Sequence, residues 1–158
     1  VTDAATCRSS VDAMRFSPTG GRGSGSTSRA GRWGLDNAAN YLAHGSDGIV
    51  RGVQVEDQGG LRMIDEILAV EGLNALFIGT GDLSLSSGLP ASHPDNDALI
   101  ASTLEKCRAR GVPCGTAVGD ATAARAAAAR GFRFVMVSND ATMFGAAARD
   151  IRRAIESP

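Results

Sequence analysis

From residue 49 onward, short apolar runs alternate with helical patterns without interruption. IVRGVQV (49–55), ALFIG (75–79), VPCGTAV (112–118) and FRFVMVS (132–138) have the length and apolar content of buried strands. Between them LRMIDEILAV (61–70) places Leu61, Ile64, Ile67 and Leu68 on one helical face. DNDALIASTLEKCRARG (95–111) reads as a helix with Asp95 near its start and Gly111 past its end, and DATAARAAAARG (120–131) as an Ala-rich helix closed by Gly131. Residues 139–156 form a last helix capped by Asn139 or Asp140. Neighbouring parallel strands need a crossover between them, and a helix supplies it. Strict alternation with short connections therefore predicts an α/β fold of parallel β/α units, either a doubly wound sheet or part of a (β/α)₈ barrel.

The segment before this rhythm is different. Residues 3–16 carry Ala4, Cys7, Val11 and Met14 at helical spacing. Residues 17–34 are rich in Gly and Ser and read as a loop, solvated or covering a substrate, because such a run buries too little to offset its ordering entropy. A short helix is expected at 36–44 with Asp36 as its cap. The cluster Gly20-Gly21-Arg22-Gly23-Ser24-Gly25 follows a helix rather than a strand and lacks the G-K-[ST] ending, so it is neither a Rossmann fingerprint nor a P-loop. Arg22 is expected to face solvent, and Trp33 and Tyr41 to anchor packing.

Composition excludes several partners. Lys+Arg (16) and Asp+Glu (17) leave a net charge of −1, which is no nucleic-acid footprint. No apolar run reaches the roughly 18 residues of a membrane helix. The start, Val1-Thr2-Asp3-Ala4, has neither the basic nor the apolar region of a signal peptide, and a chain opening on Val is expected to be a fragment or a processed product. Cys7, Cys107 and Cys114 are odd in number and have no C-x-x-C spacing, so small buried thiols are expected, in a reducing cytoplasm.

In parallel β/α folds the chemistry sits at the carboxyl ends of the strands. The first strand ends in Gln54-Val55-Glu56 and the second in Gly79-Thr80-Gly81-Asp82. Adjacent parallel strands lie about 4.8 Å apart, so Glu56 and Asp82 are expected to converge. Two such carboxylates repel unless a cation lies between them. Hard oxygen donors without nearby His or Cys favour Mg²⁺ or Mn²⁺ over Zn²⁺. A 2-keto acid then fits the open coordination positions, and the metal acts as a Lewis acid that stabilises an enolate. Gly79 and Gly81 allow close backbone approach, with an N–H near Gly81 or Asp82 receiving the substrate carboxylate. The competing reading is that acidic residues after strands simply cap helices.

VQVED (53–57), DEILAVEGLNALFIGTGDLS (65–84) and GFRFVMVSND (131–140) resemble the HpcH/HpaI aldolase family, the class II hydroxy-oxo-acid aldolases. The opening residues resemble that family's strand end, helix and P-x-G-x-R-G loop. The resemblance implies that Glu56 and Asp82 are metal ligands for Mg²⁺, Mn²⁺ or Co²⁺. It implies that Gln54, the Gly81 backbone and Asp82 contact the substrate, and that pyruvate and an aldehyde are the small-molecule partners. Thr80 stands where the family usually has Pro, and Gly81 where it usually has Ala. The family barrel has about 250 residues. Residues 1–158 therefore correspond to one partial-barrel domain, from near the end of the fourth barrel strand to the last helix, with 17–34 as a Gly/Ser-rich loop. The family's catalytic His and pyruvate-binding Arg have no counterpart in this stretch. His44, near a helix end, and His93, just before a helix, are expected at the surface or in a cap.

The expected function is a metal-dependent carbon–carbon lyase that cleaves 4-hydroxy-2-oxo acids to pyruvate and an aldehyde. The alternative is a catalytically incomplete half barrel that binds metal or self-associates without turnover, since its open strand edges and unfilled interior favour a homo-oligomer. A third reading, a citrate-lyase-like CoA-ester lyase, requires an acyl-CoA pocket for which no residue pattern is visible.

Overall fold

A computed structural model describes residues 1–156. The elements run α1 (Ala4–Ala13), a 3₁₀ turn (Arg29–Gly34), α2 (Ala38–Asp47), β1 (Gly52–Val55), α3 (Gln58–Arg62), α4 (Ile64–Leu68), β2 (Ala75–Ile78), α5 (Thr80–Ser87), α6 (Pro94–Ala109), β3 (Cys114–Val118), α7 (Ala121–Arg130), β4 (Phe134–Val137) and α8 (Asp140–Glu156). The four strands form one parallel sheet in the order β1-β2-β3-β4. Sequential order with helical crossovers is the arrangement of a TIM-type barrel segment, not of a doubly wound sheet, whose order reverses at a switch point.

The two faces of the sheet differ. On the outer face Val55, Ile78 and Thr116 stand in register and are buried, with Val135 half-buried beside them. Helices cover this face with Cys7, Val11, Leu61, Ile64, Ile67, Ile100, Leu104 and Cys107. Each fully buried aliphatic side chain here contributes about 1.5–3 kcal/mol. Thr116 Oγ1 keeps its buried hydroxyl satisfied by donating to the Ile78 carbonyl, 3.0 Å away.

On the inner face Gln54, Phe77, Gly115 and Phe134 form one row across all four strands. Gly115 is required by space: a Cβ there would lie 2.1 Å from Cε2 of Phe134. Its absence lets the Phe77 and Phe134 rings approach to 6.1 Å over the glycine. Gln54, Phe134 and Met136 remain exposed on this face. α8 likewise has no buried residue, and its Met143, Phe144, Ile151 and Ile155 are exposed. Among the described residues no helix is long and apolar enough to cross a membrane.

Several local expectations are corrected. α2 is capped by Asn37, whose Oδ1 accepts from the N–H groups of Ala39 and Asn40; Asp36 instead accepts from the Asn37 N–H. The single helix expected at 61–70 is two, α3 and α4, broken at Met63. α3 begins earlier because Asp57 caps it, accepting from the Gly60 N–H at 2.8 Å. The loop at 17–34 contains a 3₁₀ turn. Trp33 anchors nothing and is 69% exposed, whereas Tyr41 is buried and donates to the Ser24 carbonyl. Arg22 is half-buried rather than fully solvent-facing. Its guanidinium lies 4.4 Å over the Phe16 ring and donates to the Gly45 carbonyl, pinning the loop to α2. Cys7, Cys107 and Cys114 are free and buried. Burial pushes the Cys7 thiol up, and the hydrogen-bonded Cys107 sulfur together with burial pushes Cys114 up.

Candidate functional site

Most polar groups at the strand ends are committed to caps. Asp57 caps α3, Asp120 caps α7 by accepting from Ala123 N–H at 2.8 Å, and Asn139 caps α8 by accepting from Thr142 N–H at 2.8 Å. Glu56 and Asp82 are different. Glu56 follows β1 directly and leaves the capping to its neighbour Asp57. Asp82 lies in the first turn of α5, whose cap position is Gly79 with no side-chain cap. The capping explanation thus accounts for Asp57 and Asp120 and not for Glu56 or Asp82.

Glycine shapes the space between β1 and β2. A Cβ on Gly79 would lie 2.8 Å from Nε2 of Gln54, 2.8 Å from Oε2 of Glu56 and 2.9 Å from Cβ of Glu56. The Glu56 side chain therefore folds over the end of β2. Gln54 Nε2 donates to Glu56 Oε2 and fixes its carboxylate. The Ser86 hydroxyl donates to the Glu56 carbonyl at 3.4 Å and ties α5 to the end of β1. The backbone at Gly79 (φ −82°, ψ 86°) is accessible to any residue, so it is room and not conformation that requires glycine there. Gly81 is the opposite case: a Cβ there would meet nothing within 4 Å. Close approach is thus demanded at Gly79 and not at Gly81.

A cleft of about 460 Å³ opens beside this corner, lined by Gln54, Gly79, Thr80, Gly81, Asp82, Ser138, Asn139 and Thr142 among others. Glu56 does not line it directly and reaches its edge through Gln54. The sequence reading missed α5, and with it the uncapped first turn that carries the Gly81 and Asp82 N–H groups. The legible signal was Gly88, which ends that helix at φ 68°. His93 caps α6, its Nδ1 accepting from the Asp95 N–H at 3.3 Å, and His44 lies in the last turn of α2. Neither lines the cleft.

Glu56 and Gln54 at the end of β1 and Asp82 in the first turn of α5, with no thiol or imidazole lining the cleft, offer oxygen donors of the kind a hard divalent cation takes. Gly79→Ala is expected to lower divalent-cation affinity by about tenfold, the scale of displacing a ligand's supporting partners, with little change in unfolding midpoint. Isothermal calorimetry with Mn²⁺ and a urea titration measure the two effects; unchanged affinity would show that the corner is not the cation site.

A parallel sheet in sequential order with helical crossovers, and a cleft at the carboxyl ends of its strands, defines the class of protein as a TIM-type barrel segment. Residues 1–147 match the model of the HpcH/HpaI aldolase/citrate lyase family. The chain is 41% identical over 143 residues to a hydroxypyruvate/pyruvate aldolase of Sagittula stellata, covering 89% of this chain and 56% of that one. It is 40% identical over 158 residues to a 2-keto-3-deoxy-L-rhamnonate aldolase of Salmonella dublin, covering 98% and 58%. Its fold superposes with a TM-score of 0.87 and 30% identity on a HpcH/HpaI aldolase/citrate lyase family protein from Burkholderia cenocepacia J2315, covering 99% of this chain and 63% of that one. The chain belongs to the HpcH/HpaI aldolase/citrate lyase family. It spans little more than half the length of the curated relatives it matches.

Proposed function

We propose that the chain carries the oxo-acid half of a metal-dependent aldolase site that cleaves 4-hydroxy-2-oxo acids to pyruvate and an aldehyde. The observation that carries this reading is the arrangement at the carboxyl ends of the paired strands β1 and β2, where Glu56 folds against Gly79 and Asp82 lies in the first turn of the following helix, neither spent as a helix cap. Glu56 and Asp82 would hold the cation, with Mg²⁺ or Mn²⁺ favoured by the oxygen donors and Co²⁺ as a further candidate. The cation, when bound, supplies Lewis acidity toward a 2-oxo group and so favours the enolate of pyruvate. Gln54 orients Glu56 through its amide and presents its side chain to the cleft. The Gly81 and Asp82 N–H groups, in the uncapped first turn of α5, receive the substrate carboxylate, where a helix N-terminus favours negative charge.

The relatives' names, a hydroxypyruvate/pyruvate aldolase and a 2-keto-3-deoxy-L-rhamnonate aldolase, support a 2-oxo-acid substrate class. We further read residues 1–158 as one partial-barrel domain that acts in the cytoplasm and self-associates. The free buried thiols support the compartment, and the exposed apolar side chains of β4 and α8 support association.

A second reading, binding without turnover by these residues alone, is favoured by the histidines. His93 caps α6 and His44 lies exposed in the last turn of α2, and neither lines the cleft where the proton of the aldehyde hydroxyl would have to move. Calorimetry with Mn²⁺ and pyruvate, beside a retro-aldol assay on a 4-hydroxy-2-oxo acid, separates the two readings. Saturable Mn²⁺-dependent pyruvate binding with turnover is expected for the first, and binding without turnover for the second. Absence of pyruvate binding would overturn both.

A further inference from the structure

Among the described residues only three non-glycine residues have φ in the left-handed region: Arg32, Trp33 and Ser138. Arg32 and Trp33 lie in the exposed 3₁₀ turn. Ser138, at φ 60°, directly follows β4 and lines the cleft that holds Gln54 and Asp82. Its N–H donates to the Val118 carbonyl at 2.8 Å, so the end of the β3–β4 ladder holds it in that conformation. Glycine would occupy the position without strain, and strain at a cleft is a pointer to use.

The hydroxyl is uncommitted. The neighbouring Asn139 spends its Oδ1 on the α8 cap, but neither Ser138 Oγ nor Thr142 Oγ1 has a hydrogen-bond partner among the described residues. Both residues line the cleft. Two strand spacings, about 10 Å, separate β2 from β4. That span suits a six-carbon chain whose oxo-acid end lies at the β1–β2 corner.

We propose that Ser138, with Thr142, is a specificity-determining residue that hydrogen-bonds a hydroxyl on the part of the substrate distal to the 2-oxo acid. The site would then select polyhydroxylated chains over their deoxygenated counterparts. A substrate lacking that hydroxyl desolvates the Ser138 oxygen without replacing its water, which is how a polar site rejects an apolar isostere. This inference rests on the oxo-acid reading of the β1–β2 corner.

The test is calorimetry on the full 158-residue chain with Mn²⁺. The probes are pyruvate, 2-keto-3-deoxygluconate, and 2-oxohexanoate, which has the same carbon count and no tail hydroxyl. The chain is expected to prefer the hydroxylated probe by about tenfold, the worth of one well-formed hydrogen bond. In Ser138→Gly that preference falls toward one, while the unfolding midpoint is retained or raised because glycine suits the backbone. Ser138→Asn, which tolerates the left-handed backbone and keeps a polar side chain, retains part of the preference. An unchanged ratio in Ser138→Gly, with pyruvate still bound by the parent chain, would overturn the specificity role alone and leave Ser138 a turn residue. Failure of the parent chain to bind pyruvate would overturn the corner reading, and this inference with it.

Discussion

Glu56→Gln is expected to lower Mn²⁺-dependent pyruvate affinity by at least about 100-fold, beyond the 10–100-fold that loss of a ligand's supporting partners alone produces. The substitution keeps the shape of the side chain and removes its charge. A carboxamide oxygen is a weaker donor to a hard cation than a carboxylate, and the lost charge would leave Asp82 as the one anionic ligand of the proposed site. Stability is expected to stay within about 0.5 kcal/mol, because Glu56 is half-buried and caps nothing. Its neighbour supplies the contrast. Asp57 caps α3, so Asp57→Ala is expected to cost about 1 kcal/mol of stability and to leave the affinity nearly intact. Calorimetry and urea unfolding on the two variants therefore cross: one loses binding, the other stability. Retained affinity in Glu56→Gln would remove Glu56 from the site, and equal losses of both properties in both variants would mean that the corner responds only to global stability.

The same pair of residues shows what was legible in the sequence. The strand order followed from period and spacing, because the runs ending at Val55, Gly79, Val118 and Ser138 are separated by helical lengths that permit parallel crossovers. The acidic residues at the strand ends were visible in the same way. Their division into caps and free carboxylates was not, because capping depends on which oxygen reaches which N–H. Asp57, Asp120 and Asn139 bond forward into their helices, and that is a property of local dihedral angles. Asp36 and Asn37 illustrate the same limit, where adjacent residues of equal capping strength exchanged roles. The role of glycine was only partly readable. Gly79 and Gly81 look alike in the chain, and only their neighbours show that the first is crowded by Gln54 and Glu56 while the second is open. α5 escaped because its eight residues, TGDLSLSS, bury Leu83 alone and carry no apolar stripe. Arg22 escaped because a guanidinium over an aromatic ring leaves no mark on spacing.

Ile78→Ala is expected to destabilise the chain by about 2–5 kcal/mol, whereas Met136→Ala is expected to change it by less than about 0.5 kcal/mol. Both are large apolar residues in strands of one sheet, but they occupy opposite faces. Ile78 is fully buried on the outer face, in register with Val55 and Thr116 and covered by the helices. Its truncation leaves a cavity that the surrounding helices fill only in part, so the cost exceeds the transfer free energy of the lost carbons. Met136 pairs with Ala117 on the inner face and is 59% exposed, so its truncation removes little from a packed environment. In a closed barrel that inner face is a filled core built from layers of side chains. The difference between the two unfolding free energies therefore measures whether anything covers the inner face in solution. A large gap at low protein concentration means an open inner face supported from the helical side alone. A Met136→Ala cost approaching that of Ile78→Ala, growing with protein concentration, would mean that other copies of the chain bury this face, because association stabilises by mass action. The consequence reaches the cleft, since the exposed Gln54 side chain stands on the same inner face as Phe77 and Phe134. Covering that row fixes the side chain that positions Glu56. Cation affinity is then expected to rise with protein concentration in step with the Met136→Ala penalty.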